Sequence, residues 1–158
     1  MNDFLRIYVD RLKDGHKEIL HEEFPVSHLE VEDKDLKFKG PVSLKGEVYL
    51  VDQELVFHLS LKVKAVLLCS VCNQEVSTDI NIKDSYQSVP VDEVKSAIYD
   101  MTELLREMIL LEVPSFIECQ GSCPQREEIN KFLKKKEGDD PSNHNPFSSL
   151  KIEELPKD

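Results

Sequence analysis

The stretch LVFHLSLKVKAVL, at residues 55–67, decides the predicted fold. Its apolar residues occupy every second position from Leu55 to Leu67, and polar residues such as His58 and Lys62 lie between them. A period of two is typical of a β-strand with one face on a core and the other in solvent. We therefore predict a long, half-buried strand. Its apolar face consists of Leu55, Phe57, Leu59, Leu61, Val63, Ala65 and Leu67.

The segments on either side of this strand show the same alternation. Apolar and polar residues alternate over residues 42–50 and again over residues 76–82. The turn-forming sequences VDQE at 51–54 and CSVCNQ at 69–74 separate the three runs. Consecutive strands are therefore predicted to form antiparallel hairpins, with CSVCNQ at the tip of the second one.

The first forty residues are less regular. Residues 5–9 alternate and predict one more strand. The segments HKEILHEEF and DLKFKG predict further short strands, and PVSHLEVED between them predicts a loop or a helical turn. The N-terminal half is thus expected to supply most of the sheet.

The period changes in the run DMTELLREMILLEVP, which begins at Asp100. Apolar residues recur there at helical spacing, and Asp100 with Glu103 three positions later matches a capping box. Pro114 disfavours continuation of the helix. We predict a helix near residues 101–112 that covers the sheet. The predicted fold class is α+β: an antiparallel sheet or partly closed barrel, this covering helix, a cysteine-bearing C-terminal segment and a flexible tail.

The C-terminal part divides into two regions by composition. QREEINKFLKKK, at residues 125–136, predicts a short helix that completes a single domain over residues 1–136. Residues 137–158 are acidic and rich in turn formers, which predicts a flexible tail. Apolar residues of this tail, such as Phe147 and Leu150, are candidates for docking on a partner.

The composition restricts the class of partner. The 158 residues are 40% hydrophobic and 32% charged, with a formal net charge of -11. Such a chain is repelled by bare phosphate backbone and attracts basic partners. The sequence shows neither a secretory signal nor an apolar run of membrane-spanning length, which predicts a cytoplasmic protein without a membrane contact. Structural disulfides are not expected in that compartment.

All four cysteines occur in two close pairs, which are candidate metal ligands. Cys69 and Cys72 form a C-x2-C pair, and Cys119 and Cys123 form a C-x3-C pair around Gly121. Pairs spaced this way on turns direct both sulfurs at one ion, and Gly121 permits the tight turn. Four thiolates complete a tetrahedral zinc site with no open position, so we predict a structural zinc that holds the C-terminal segment to the sheet.

Other roles for these cysteines stay open at this point. Cys69 is in phase with the apolar face of its strand and could be a core thiol, with all four cysteines reduced and metal-free. Redox catalysis by a C-x2-C pair requires a helix N-terminus, whereas Cys69 and Cys72 lie between two strands. Disulfides or an iron–sulfur cluster are further alternatives.

No catalytic motif is recognisable. The sequence has no glycine-rich phosphate loop, no H-E-x-x-H and no G-x-S-x-G, and its five histidines are scattered. We therefore expect a protein that is not an enzyme and has no small-molecule substrate.

The order of motifs resembles the YceD family, the large ribosomal RNA subunit accumulation proteins. The resemblance is carried by C-x2-C at a turn, a helix that ends in LLEVP, CQGSCP at 119–124 and NPFSSL at 145–150. Family members typically have C-x-R-C-L at the first pair, C-x-G-x-C-P at the second and NPF-x-x-L near the end. The resemblance covers most of the chain. Its NPF motif makes Asn145, Pro146, Phe147 and Leu150 the candidate partner-binding residues.

The sequence departs from the family pattern at both cysteine pairs. Val71 replaces the usual arginine and Asn73 follows Cys72, so a role of that arginine in RNA contact is not transferred. Gln125 and Arg126 follow Pro124, where many members carry another cysteine. The candidate site is therefore limited to four sulfurs.

The resemblance implies a non-enzymatic cytoplasmic protein that supports accumulation of large-subunit ribosomal RNA. The acidic composition favours binding of a basic ribosomal protein or a large-subunit assembly intermediate, while direct RNA contact stays open. The alternative hypothesis is a zinc-stabilised protein-interaction module unrelated to ribosomes.

Overall fold

The computed structural model describes residues 3–133, which form antiparallel strands and short helices. A four-stranded sheet has the order β2-β3-β4-β5, and a two-stranded sheet pairs β1 with β6. Short 3-10 helices lie at Asp3–Leu5, Val9–Gly15, Val26–Leu29, Val91–Glu93 and Lys95–Ala97. The strands and α-helices are β1 Arg6–Tyr8, β2 Lys17–Pro25, β3 Leu36–Val51, β4 Glu54–Leu68, β5 Glu75–Pro90, β6 Ile98–Asp100, α1 Thr102–Glu112 and α2 Arg126–Leu133.

The central strand confirms the alternation on which the fold prediction rests. Along β4, the apolar positions from Leu55 to Ala65 are buried, whereas Lys62 and Lys64 are exposed. Strands β3 and β4 join through a tight hairpin in which Val51 pairs with Glu54. Each strand of the sheet pairs antiparallel with its neighbour in the sequence, so the four strands form a meander.

The sheet is open, with β2 and β5 as its edges, and does not close into a barrel among the described residues. The N-terminal 3-10 segments, the small β1–β6 sheet and α1 pack on one of its faces. The other face carries mainly polar side chains, most of them exposed or partly exposed, whereas Val66 on this face is buried. Of the two predicted architectures, the antiparallel sheet covered by a helix is therefore confirmed.

Helix α1 covers the sheet as its spacing predicts. Leu105, Met108 and Ile109 are buried in the same core cluster as the sheet residues. Its start is held by the N-terminal segment, because the Met101 N–H donates to the Leu5 carbonyl at 2.9 Å. The Thr102 N–H donates to Asp100 Oδ1 at 2.9 Å, so Asp100 satisfies one of the free donors at the helix N-terminus.

The N-terminal forty residues differ in detail from the prediction. Leu5, Ile7 and Val9 are all buried as their alternation predicts, but β1 spans only Arg6–Tyr8 between two 3-10 helices. The segment DLKFKG is not a separate strand. It forms the start of β3, which continues through an irregularity between Lys39 and Ser43.

Strand β5, with 16 residues, is more than twice as long as the alternation over residues 76–82 indicates. Its pairing with β4 shifts between Leu59–Ser85 and Leu61–Ile82, so one extra residue is accommodated near Asp84, which has a φ of 49°. A bulge of this kind reverses which side chains face the core. The apolar phase of residues 76–82 is therefore broken, although the strand continues to Pro90.

Gly46 permits close approach of β3 to β4. It pairs with Leu59, and a Cβ atom at this position would collide with the His58 carbonyl oxygen. That atom belongs to the backbone and cannot move aside without distorting β4. Gly46 therefore occupies an inward-facing position of β3 because the backbone of β4 leaves no room for a side chain there.

One compact unit of the chain extends to Cys123, and a second begins at Pro124. The described part of the second unit is α2, which confirms the short helix expected near residues 125–136. The predicted domain boundary at residue 136, the tail at 137–158 and the candidate partner-binding residues Asn145, Pro146, Phe147 and Leu150 lie outside the described residues. In the part of the chain that is described, no helix is long and apolar enough to cross a bilayer.

Candidate metal centre

The first cysteine pair occupies the tip of the β4–β5 hairpin. Strand β4 ends at Leu68 and β5 begins at Glu75, so CSVCNQ forms the connection. The Cys69 N–H donates to the Gln74 carbonyl at 2.8 Å, and the Asn73 N–H donates to the Cys69 carbonyl at 2.9 Å. Asn73 has a φ of 60°, a left-handed conformation that asparagine tolerates well. These contacts close a tight turn that carries Cys69 and Cys72.

The second pair reaches this tip through the segment after α1. The Ser70 N–H donates to the Ile117 carbonyl at 2.8 Å. The Ile117 N–H donates in return to Ser70 Oγ at 3.2 Å. These reciprocal bonds fix the returning chain beside the hairpin tip, two residues before Cys119.

The turn of the second pair is also stabilised locally. Gln120 and Gly121 have φ values of 57° and 77°, so two consecutive residues adopt the left-handed conformation. The glycine expected to permit a tight turn therefore does so. The Cys123 N–H donates to Glu118 Oε2 at 2.9 Å, which spans the turn and orients Cys123.

The four sulfurs converge. The Sγ atoms of Cys69, Cys72, Cys119 and Cys123 all lie within 4.8 Å of one another. The Cys72 and Cys119 sulfurs are 3.6 Å apart. A tetrahedral ion with metal–sulfur bonds of about 2.3 Å separates its ligands by about 3.8 Å, so the spacing fits one metal ion.

The cysteines are free thiols and form no disulfide. Cys69, Cys119 and Cys123 are buried and Cys72 is partly buried. They form a small cluster against which the side chains of Val71 and Val76 pack. An apolar surround of this kind excludes water from the ligands. Val71 therefore contributes to the wall of the candidate site.

The environment shifts the pKa values of two of the thiols in opposite directions. Burial raises the pKa of the Cys69 thiol, but hydrogen bonds outweigh this effect and lower its pKa to about 6. One donor is the Cys119 N–H, 3.4 Å from Cys69 Sγ. Burial and the neighbouring thiols raise the pKa of Cys119 to about 12. In the absence of metal, Cys69 is therefore a thiolate at neutral pH, the form that binds metal.

Sequence reasoning identified all four candidate ligands but missed the residues that bring the pairs together. These are Ser70 and Ile117, through their reciprocal hydrogen bonds, and sequence reasoning also missed Glu118, which orients Cys123 within the second turn. Ser70 lies between Cys69 and Cys72 in the sequence. A serine hydroxyl in a turn often hydrogen-bonds to the backbone, so this residue could have been singled out from the sequence. Ile117 acts through its backbone, so its side chain carries no such signal.

The centre is chemically able to hold a metal ion with four sulfur ligands. Four thiolates occupy every position of a tetrahedral ion and leave none for a substrate. Comparison of the chain with protein-family models, curated proteins and solved structures finds no match.

Proposed function

We propose that the protein is a non-enzymatic accessory factor of ribosome biogenesis that acts in the cytoplasm and supports accumulation of large-subunit ribosomal RNA. It would do so by binding a basic ribosomal protein or an assembly intermediate. The observation that carries the proposal is the convergence of Cys69 and Cys72 with Cys119 and Cys123. CSVC and CQGSCP carry the resemblance to the YceD family, and both contribute their cysteines to this one cluster.

The metal in this proposal is a structural zinc. A set of four sulfurs at tetrahedral spacing favours zinc or an iron–sulfur centre over hard cations, which prefer oxygen. Zinc would bind the hairpin tip and the segment that contains Cys119 as one rigid body. A zinc that cross-links segments distant in sequence stabilises the fold directly. Its role is then to shape a binding surface rather than to act on a substrate.

The distribution of acidic residues supports a basic protein as the direct partner. The loop before β3 carries exposed carboxylates at Glu30, Glu32, Asp33 and Asp35, and α1 exposes Glu103, Glu107 and Glu112. With a net charge of -11, such a surface raises the rate of association with a cationic protein and weakens as salt rises.

Affinity purification of the full chain across a salt series tests the proposal. We expect a basic ribosomal protein, or a large-subunit precursor containing it, to be recovered at low salt and lost at high salt. The variant Glu32→Lys/Asp33→Lys should recover less of it, because the charge on the acidic loop is reversed. Depletion of the protein should lower large-subunit ribosomal RNA relative to small-subunit RNA.

Two results would contradict the proposal. Recovery of protein-stripped ribosomal RNA alone would exclude a basic protein as the partner. Recovery of a partner with no connection to ribosomes, together with bound zinc, would favour the alternative of a zinc-stabilised interaction module. The cysteine centre supports that alternative independently of the family resemblance.

A further inference from the structure

The solvent face of the four-stranded sheet is rich in lysine. The side chains that alternate with the core residues of β2, β3 and β4 point to this face. Helix α1 and the N-terminal segment pack on the opposite face, and the lysines of this face are exposed, although Val66 near its end is buried. The lysines of the solvent face are Lys17, Lys37, Lys39, Lys45, Lys62 and Lys64.

Four of these lysines form a continuous patch, which we call the lysine patch: Lys39, Lys45, Lys62 and Lys64. Lys39 pairs directly with Lys64 across β3 and β4. Lys45 and Lys62 are diagonal neighbours, because Lys45 pairs with Ser60 and Lys62 with Ser43. Like charges directly opposite each other destabilise a sheet. The direct pairing of Lys39 with Lys64 is therefore expected to lower the stability of the sheet.

Carboxylates pair with three of the six lysines of this face, and Glu23 and Asp84 lie on the same face. Within residues 3–133, Lys39, Lys45 and Lys62 form no ion pair. Three unpaired ammonium groups therefore lie close together on this face, although the chain has an acidic net charge of -11. The ion pairs that involve lysines on this face are Lys17–Glu47 at 3.3 Å, Lys37–Glu75 at 3.7 Å and Lys64–Asp79 at 3.9 Å.

An aromatic platform adjoins the patch on the same face. The rings of His58 and Tyr86, which pair across β4 and β5, are stacked with centroids 4.2 Å apart and an angle of 4° between their planes. Tyr86 is 62% exposed, although it is a large side chain in a sheet. His58 stacks on one face of the ring, and the exposure of Tyr86 leaves much of the rest of the side chain accessible to solvent.

The bulge in β5 fixes this platform. The Asp84 N–H donates to Ser60 Oγ at 3.1 Å, and Asp84 Oδ1 lies 3.3 Å from His58 Nε2. His58 is therefore held between Asp84 and the Tyr86 ring. From His58 to Lys64, six residues along β4, the face extends about 20 Å. This is long enough for several nucleotides of an extended strand.

We propose that this face of the sheet binds single-stranded RNA, with phosphates on the lysine patch and an unpaired base on the exposed ring of Tyr86. Ammonium groups alone would accept any polyanion. A flat, solvent-exposed aromatic ring beside them favours nucleic acid, because bases stack on such rings in sheet-based RNA-binding modules. A single strand is required because bases within a duplex are not free to stack on a side chain. The inference goes beyond the proposed function, which needs only a protein partner.

Fluorescence anisotropy with the purified full chain and a labelled, mixed-sequence RNA of about 20 nucleotides tests the proposal. We expect the variant Lys39→Gln/Lys62→Gln to bind about 10-fold or more weakly at 0.1 M salt. The slope of log affinity against log salt should fall by about 1.4, since each phosphate contact on a single strand contributes about 0.7. The matched control Lys13→Gln/Lys95→Gln removes the same charge from 3-10 helices outside the sheet and should bind as the unchanged chain does.

Folding does not confound this comparison. Substitution of Lys39 removes one member of a directly opposed pair of like charges, so the double variant should unfold at the same or a higher denaturant concentration. A weaker complex with unchanged stability then reports the loss of phosphate contacts.

The stacking contact has its own test. We expect Tyr86→Ala to weaken RNA binding about 5-fold or more with an unchanged salt slope, and Tyr86→Phe to retain binding. Poly-glutamate of matched charge should compete poorly with RNA.

Three results would overturn the inference: equal binding by the lysine variant and its control, an unchanged affinity for Tyr86→Ala, or competition by poly-glutamate as strong as that by RNA. These results are separate from the test of the proposed function. Recovery of a basic ribosomal protein by a chain that does not bind RNA would leave that function in place and exclude only the RNA-binding face.

Discussion

The Sγ of Cys72 lies 3.6 Å from the Sγ of Cys119, although 47 residues separate the two positions in the chain. Between them lie β5, the β6 segment and α1, which together return the chain to the hairpin tip. The contact therefore depends on the length and direction of every intervening element. Binding of a metal here would therefore require that the whole unit up to Cys123 be folded.

Zinc content gives the most direct test of the centre. We expect about one equivalent of zinc per purified chain, and near-complete loss of it in Cys72→Ser and Cys119→Ser, because each variant removes one of four ligands. Ser122→Ala, an exposed neighbour in the second turn, should retain the metal. Elemental analysis measures this, and substoichiometric metal in chelator-free preparations would contradict it.

Removal of the metal should destabilise the protein. A ligand that binds only the folded state stabilises it by about 4 kcal/mol when its free concentration is 1,000-fold above its Kd. Denaturant unfolding with and without a strong chelator measures the difference. The same treatment should leave the Cys72→Ser variant unchanged, which separates metal loss from direct effects of the chelator.

The metal-free protein should show a characteristic dependence of stability on pH. Cys69 has a pKa of about 6 when folded, against a usual value of about 8.5. Between these two values the folded state binds fewer protons than the unfolded state, so the free energy of unfolding rises with pH across this window. The contribution of Cys69 to stability is complete above about 8.5 and is lost as the pH falls through about 6.

Cys119 acts in the opposite direction. Its pKa is raised to about 12, so its contribution is present below about 8.5 and is lost as the pH rises toward 12. The free energy of unfolding of the metal-free protein should therefore be highest near pH 8.5. Thiolate absorbance in the ultraviolet should rise through pH 6 and should not do so in Cys69→Ser. A flat pH profile would contradict both assignments.

Ser70 should control metal affinity without being a ligand. Ser70→Ala leaves the Ile117 N–H without its 3.2 Å acceptor, which should cost about 1 kcal/mol of stability. Because this bond holds the segment that contains Cys119 beside the hairpin tip, its loss should also lower metal affinity, by about 5-fold if the whole loss of about 1 kcal/mol falls on the metal-bound state. Competition with a coloured chelator measures the affinity. Ser70→Thr keeps the hydroxyl and should retain most of it, whereas equal loss in both variants would exclude the hydrogen bond as the cause.

Two leucines of α1 provide a matched test of the helix–sheet packing. Leu105→Ala removes a fully buried side chain and should lower the free energy of unfolding by about 2–5 kcal/mol. Leu111→Ala removes the same atoms from a position that is 77% exposed and should change it by about 0.5 kcal/mol or less. Similar effects at the two positions would mean that α1 does not cover the sheet through the face that contains Leu105.

Local periodicity predicted the elements in which it is uninterrupted. The alternation along β4 identified both the strand and its buried side, and helical spacing placed α1 within one residue of its bounds. Strand β5 exceeded the prediction because the bulge near Asp84 changes the phase of alternation. The β1–β6 pairing of Ile7 with Tyr99 joins residues too distant in sequence for periodicity to reveal.

The candidate ligands followed from sequence because spacing within each pair is a local property. Two cysteines on one tight turn direct their sulfurs to one side, whatever the rest of the chain does. Ser70 was missed because its role depends on which segment lies beside the hairpin tip.

The amino-acid sequence by itself therefore determined the buried face of each strand with unbroken alternation, the position of the covering helix and the two pairs of candidate metal ligands. These properties depend on neighbours a few residues apart. Only the tertiary structure decided that Cys72 meets Cys119, and that Lys39 lies opposite Lys64 beside the stacked rings of His58 and Tyr86. Strand register and long-range return of the chain set those distances, because they result from pairing and packing of the whole unit rather than from any local pattern.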